Sequence, residues 1–181
     1  AGPNVTQSSQ DPIRHEGLSP DMTFNTFVVG RNNEFAHAAS FNVSSKPGAA
    51  CNPLFIYGPS GMGKTHLLNA VGNYIRDTFP QLRVSYLSAD RFFNEFTSHI
   101  RHRKMDQFRV RYRERCDVLL IDDIQILGRS EGVQEEFFNI LNDFFASKKQ
   151  VVVASDRMPK DIRGLEDRIR TRLEWGLIAD I

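Results

Sequence analysis

An apolar strand, a glycine-rich turn and a helix follow one another without a gap over residues 53–68. Leu54-Phe55-Ile56-Tyr57 stops at Gly58, the turn runs through Pro59, Ser60, Gly61, Met62 and Gly63, and Lys64-Thr65 opens a segment of helical periodicity. A buried strand feeding a helix through so short a turn predicts a β-α unit of a mostly parallel sheet. Gly58, Gly63, Lys64 and Thr65 also meet the phosphate-loop spacing GxxxxGK[ST], and the strand and helix are the flanks that pattern requires. Backbone N–H groups can wrap a polyphosphate only where no side chain obstructs and left-handed dihedrals cost little, which glycine provides. Lys64 then places its ammonium against the β- and γ-phosphates and Thr65 offers a hydroxyl to Mg²⁺. The helix N-terminus adds partial positive charge. A plain glycine turn between a core strand and a helix is the competing reading, and the two correct flanks weigh against it.

With 181 residues the chain suits one domain, or one domain with a short tail. Its 40% hydrophobic and 25% charged residues are those of an ordinary soluble globular protein, and a formal net charge of +1 does not by itself point to nucleic acid. Cys51 and Cys116 stand in no metal-ligand spacing and read as thiols of a reducing compartment. No apolar run reaches the about 18 residues that span a bilayer, and the N-terminus lacks a signal-peptide core. A cytoplasmic protein without a membrane span is expected.

Residues 1–20 carry almost no large apolar side chains and are expected to be a flexible linker, leaving 21–181 as the nucleotide-binding unit. Phe24 and Phe27 precede a glycine and a helix-prone stretch over 34–43. They fit a wall for an adenine ring and plain core packing equally. After Thr65 the positions Leu67, Leu68, Val71, Ile75 and Phe79 keep a 3.6-residue period until Pro80, and residues 83–88 read as a second strand. Residues 90–112 read as two helical segments, with Phe92, Phe96 and Ile100 on one face and Met105, Phe108 and Tyr112 on another. Between and beside them, residues 101–115 hold Arg101, Arg103, Lys104, Arg109, Arg111, Arg113 and Arg115 against Asp106 and Glu114, a local charge of +5. Interleaved aromatics suit a surface that tracks phosphates and stacks bases. A solvated helix face explains the run as well.

Val118 to Ile121 is a continuous apolar run, as in a strand buried on both faces, and it ends in Asp122-Asp123. An acidic residue there completes a Mg²⁺ site, and a second beside it polarises an attacking water. A loop cap is the plainer alternative. Residues 125–133 read as a loop, 134–147 as a helix whose Phe-rich face is core, and 150–154 as a strand ending in Ser155-Asp156, where open α/β sheets keep their ligands. A short helix over 165–173 carries Arg168, Arg170 and Arg172. Arg168 and Arg172 share one face, either as surface ion pairs with Glu166 or Asp167 or acting in trans on a neighbour's γ-phosphate. Residues 177–181 form a last strand. The alternation predicts an α/β, three-layer fold: a mostly parallel five-stranded sheet with helices on both faces.

The order of phosphate loop, Asp122-Asp123 strand end, Ser155-Asp156 strand end and late arginine cluster resembles the AAA+ ATPases. Phe24-Asn25-Thr26-Phe27-Val28-Val29-Gly30, Leu119-Leu120-Ile121-Asp122-Asp123-Ile124-Gln125, Gln134-Glu135-Glu136-Phe137-Phe138 and Leu165-Glu166-Asp167-Arg168 narrow this to a resemblance, over residues 18–181, to the DnaA family of bacterial replication initiators. The resemblance implies ATP or ADP with Mg²⁺ as ligands. It assigns Gly58, Ser60, Gly61, Met62, Gly63, Lys64, Thr65 and His66 to the phosphate loop, Val28, Val29 and Asn33 to the adenine pocket, and Thr65 and Asp122 to the metal. Asp123 stands where most AAA+ proteins carry a catalytic Glu one methylene longer, which implies slow hydrolysis, suited to a switch. Asp156 takes the sensor place at the γ-phosphate, Arg172 the arginine finger, and Arg168 the neighbouring interface position. Single-stranded DNA would meet the helical pair after the second strand, with Thr97 at an apolar contact position, and the loop after Asp123, where Ser130 and Gly132 replace basic residues beside Arg129. The implied function is an ATP-dependent oligomer that opens origin DNA, with a replication-regulator protein as a further partner. The alternatives are a related regulator or a helicase loader. A helical lid and a C-terminal duplex-reading domain would lie outside the chain. A small-molecule kinase fits less well, as it leaves the arginine helix unexplained.

Overall fold

In a computed structural model of the chain, residues 16–181 are described, so most of the expected linker lies outside them. They build α1 (Glu34–Ser45), β1 (Leu54–Tyr57), α2 (Lys64–Thr78), β2 (Val84–Ser88), α3 (Ala89–Arg101), α4 (Met105–Arg109), β3 (Val118–Asp122), α5 (Glu131–Ala146), β4 (Gln150–Ser155), α6 (Asp167–Glu174) and β5 (Leu177–Asp180). The strands form one sheet in the order β2-β3-β4-β1-β5. Every pairing is parallel, so all five strands present their carboxyl ends along the same edge.

Alternation along the strands sorts the core into two layers. Leu54, Ile56, Val118, Leu120, Val152 and Ala154 pack with α1 and α2 on one face. Phe55, Leu119, Ile121, Val151 and Val153 pack with α3, α4, α5 and α6 on the other. Strands buried on both faces explain the uninterrupted apolar runs. In α5, Phe137, Ile140, Leu141 and Phe144 are buried while Phe138 and Phe145 are partly so.

Four expectations change. Residues 16–20 are packed: the Tyr86 N–H donates to the Glu16 carbonyl (3.0 Å), Ser19 N–H donates to Asn69 Oδ1 (2.8 Å), and Leu18 fills the space that Gly72 leaves by lacking a Cβ. The stretch expected as a loop over 125–133 is mostly helical, a 3₁₀ turn over Ile124–Arg129 followed directly by α5. Helix α4 continues into a π-helical turn over Val110–Glu114. Ile100 does not join Phe92 and Phe96 in the core; it lies in the last turn of α3 and is 51% exposed.

Candidate functional site

The glycine loop leaves the end of β1 and is tied to β4, since the Gly58 N–H donates to the Ser155 carbonyl at 3.2 Å. Gly61 and Gly63 adopt φ of 81° and 105°, backbone that side chains resist, and a Cβ on Gly63 would strike the Phe27 ring at 2.8 Å. Lys64 starts α2 and is buried, its Nζ donating to the carbonyls of Gly58 and Pro59, the latter at 2.8 Å. The ammonium thus lies folded across the loop that the sequence assigns to phosphate. Ser60, Gly61, Met62 and Thr65 are exposed along it.

Thr65 hydroxyl donates to Asp122 Oδ2 at 2.5 Å, which joins the first turn of α2 to the end of β3 across the sheet edge. Asp122 is 5% exposed. Its other oxygen accepts the Asp123 N–H at 3.0 Å, and the Tyr86 hydroxyl donates to Oδ2 at 3.1 Å. Burial, and then the Asp122 charge, push the Tyr86 phenol well above its usual range, so Tyr86 stays a neutral donor. A hydroxyl and a carboxylate in contact are hard oxygen donors of the kind Mg²⁺ takes together with phosphate oxygens. The donor set therefore fits that ion.

Asp123 follows in the left-handed region, φ 54°, a place where short polar side chains are tolerated. Gln125 bridges it to the neighbouring strand end: Nε2 donates to Asp123 Oδ1, and Oε1 accepts the Asp156 N–H, both at 3.3 Å. Asp156 is gripped by the guanidinium of Arg157 at 2.7 and 2.9 Å, which holds its carboxyl below the usual carboxylate range. Asp122, Asp123 and Asp156 are thus brought to one edge with Lys64 and Thr65.

The segment before α1 is clasped onto the glycine loop. His66 Nε2–H donates to the Thr23 carbonyl at 2.8 Å and lies 3.2 Å from the Thr26 hydroxyl. Phe27 stacks on His37 and meets His66 edge-on, while Phe24 packs against His37, Phe41 and Tyr74. Both phenylalanines belong to the core layer of α1 and α2. Asn33 acts on the loop backbone: its Oδ1 accepts the Gly30 N–H (2.8 Å) and its Nδ2 donates to the Val28 carbonyl (3.0 Å). That clasp holds Val28 and Val29 outward, 84% and 49% exposed.

Arg168 and Arg172 lie in the opposite layer from α2. Both guanidiniums approach the Phe138 ring of α5, at 4.6 and 5.8 Å, and Arg172 also stands 3.9 Å over Trp175. The basic run after α3 divides in two. Arg109 pairs with Glu136, Arg111 with Glu16 and Glu95, and Arg113 with Asp143 and Glu136. Arg101, Arg103, Lys104 and Arg115 have no carboxylate partner among the described residues. Sequence reading gave no role to Tyr86, Gln125, Arg157, Phe138 or Trp175. Only Gln125 and Arg157 carried a signal, each standing next to an acidic strand end.

A phosphate loop, an acidic β3 end and a polar β4 end on a parallel sheet of order 2-3-4-1-5 define a P-loop nucleotide-binding domain of the AAA+ type. The sequence profile of the bacterial DnaA ATPase domain matches residues 18–180, and the chain belongs to that family. It is 60% identical over 176 residues to the chromosomal replication initiator protein DnaA of Bdellovibrio bacteriovorus, covering 97% of this chain and 37% of that protein. Domain III of the Thermotoga maritima replication initiation protein DnaA superposes with a TM-score of 0.89 at 44% identity, covering 91% of this chain and 68% of that one. A replication initiator DnaA bound to AMPPCP and single-stranded DNA superposes at 0.87 with 39% identity, over 91% and 50%. The chain thus spans well under half the length of its curated relative. Among the described residues no helix is long and apolar enough to cross a membrane.

Proposed function

We propose that this domain is an ATP-controlled assembly switch that engages and opens replication-origin DNA. ATP is held by the backbone of the glycine loop and by Lys64, whose ammonium exchanges the Gly58 and Pro59 carbonyls for β- and γ-phosphate oxygens. Mg²⁺, bound through Thr65 and Asp122, supplies charge neutralisation at those phosphates. Val28, Val29 and the Asn33-clasped loop flank the base. Asp123 orients and deprotonates the attacking water, and Asp156 reads the γ-phosphate. With a carboxylate shorter than Glu in that place, hydrolysis is slow, so the domain turns over rarely and behaves as a switch.

The observation that carries this reading is the separation of the two halves of the site. The phosphate loop opens the layer of α1 and α2, whereas Arg172 sits in the α5–α6 layer, its guanidinium making no hydrogen bond or ion pair among the described residues. A guanidinium so placed suits the γ-phosphate of an adjacent subunit, a head-to-tail contact that propagates as an open filament. The solved DnaA bound to AMPPCP and single-stranded DNA supports DNA as the second ligand. We assign its contact to the exposed turn after α3, where Arg101, Arg103 and Lys104 follow Ile100. Membership of the DnaA family favours this reading over a helicase loader.

Sedimentation of the chain with ATP and with ADP, each with and without single-stranded DNA, tests the switch. Faster-sedimenting species with ATP, extended further by DNA, are expected. Equal sedimentation in both nucleotides overturns assembly control.

A further inference from the structure

Helix α6 carries three arginines on eight residues, and they are not alike. Arg168 donates to Glu166 at 2.6 Å. Arg170 donates to Asp167 and to the carbonyls of Pro159 (3.3 Å) and Leu165 (3.1 Å). The Arg172 guanidinium alone makes no hydrogen bond among the described residues and is held by aromatic faces, Trp175 at 3.9 Å and Phe138 at 5.8 Å. Stacking fixes the plane of a guanidinium while leaving its edge, with the N–H donors, free. Such a group is ordered before it meets an anion, so less side-chain entropy is lost when it does.

The tryptophan is itself held. Trp175 caps α6, its N–H donating to the Arg172 carbonyl at 3.3 Å. The next residue, Gly176, lies so close to the Pro53 backbone that a Cβ would stand 1.8 Å from the Pro53 carbonyl oxygen, and the Leu177 N–H donates to that same oxygen at 3.1 Å. Trp175 is therefore pinned at its backbone, yet the residue is 62% exposed. Burial does not account for a large exposed indole at this place, whereas its stack on Arg172 does.

We propose that Trp175 is a positioning residue for Arg172: it presents the guanidinium edge-out, pre-ordered for the phosphate of a nucleotide bound by an adjacent copy of this chain. This rests on the reading of Arg172 as acting in trans. The Phe138 ring also lies near the guanidinium, at 5.8 Å.

The test uses the chain itself and two readouts. Trp175 is the only tryptophan, so its emission reports the stack directly in the unassembled protein. Arg172→Ala should change that emission without altering the far-ultraviolet circular dichroism; an unchanged emission overturns the stack. In sedimentation with ATP, Trp175→Ala should raise the concentration for half-assembly by about three- to tenfold, with nucleotide affinity of the unassembled chain unchanged. Trp175→Phe, which keeps an aromatic face, should recover part of the loss. Assembly as tight in Trp175→Ala as in the unmodified chain overturns the role of Trp175 alone. Failure of the unmodified chain to assemble with ATP overturns the trans reading, and the role of Trp175 with it.

Discussion

Asp117 stands one residue ahead of β3 and accepts from the Arg83 backbone N–H at 2.8 Å, from its Nε at 2.9 Å and from its second terminal nitrogen at 3.1 Å. Burial pushes the Asp117 carboxyl up, but the hydrogen bonds from Arg83 outweigh burial and hold it below the ordinary carboxylate value. The stabilisation from a carboxylate depressed in the folded state is present above its unfolded value, about 4, and is lost as pH falls through the folded value. Asp117→Asn should therefore cost about 1–2 kcal/mol at pH 7, discounted because Arg83 is partly exposed. Urea midpoints should show that gap closing towards pH 3. Positions fixed by local spacing were legible at this scale: Gly58, Gly63, Lys64 and Thr65 lie within eight positions, Asp122 ends an apolar run, and the fold brings Thr65 and Asp122 into contact. Tyr86 was not. Its hydroxyl reaches Asp122 only because β2 and β3 pair in register, Ser88 opposite Asp122, and no local pattern encodes that register.

The helical pair after β2 shows the same limit one level up. Its helices were readable from apolar period, and its charge from composition. The carboxylates that neutralise part of that charge were not, because Glu16, Glu95, Glu136 and Asp143 come from the N-terminal segment, α3 and α5. Glu136 is 5% exposed, so stripping its arginines would leave a buried charge uncompensated. Replacing Arg109, Arg111 and Arg113 by Gln should mainly destabilise the fold, seen as a lower denaturation midpoint. Replacing Arg101, Arg103 and Lys104 should leave that midpoint nearly unchanged. It should weaken single-stranded DNA binding and flatten the log–log salt dependence by about 2, at roughly 0.7 per phosphate contact. An unchanged slope would return the turn to a solvated surface. Ile100 belongs with this turn, since its periodic position predicted burial while the end of α3 carries it past the core.

For the molecule as a whole, the five-fold alternation of strands and helices made the parallel three-layer architecture legible, whereas the strand order was not written in any local pattern. That order sets β1 between β4 and β5. It thereby puts Ser155 beside Gly58 and Ile181 beside Tyr57, closing the phosphate loop from both sides. A ligand that binds only this folded edge must stabilise the entire domain. At nucleotide concentrations about 100 times the dissociation constant the gain is about 2.7 kcal/mol, or roughly 5–10 °C in melting temperature for a domain of this size. Scanning calorimetry should show that shift with ATP and Mg²⁺ and no shift for Lys64→Ala.

Gly176 packs against the Pro53 backbone, and Leu177 bonds to it, so the end of α6 is fastened to the entrance of β1 while the exit of β1 is the phosphate loop. The loop and Arg172 are therefore fixed to two ends of the same short strand, a ruler four residues long. In the proposed head-to-tail assembly every subunit would repeat the displacement between its own loop and its own Arg172. One strand inside the monomer would then dictate the rise and rotation of the filament, and an insertion in β5 that loosened the fastening would blur its pitch before it affected nucleotide binding.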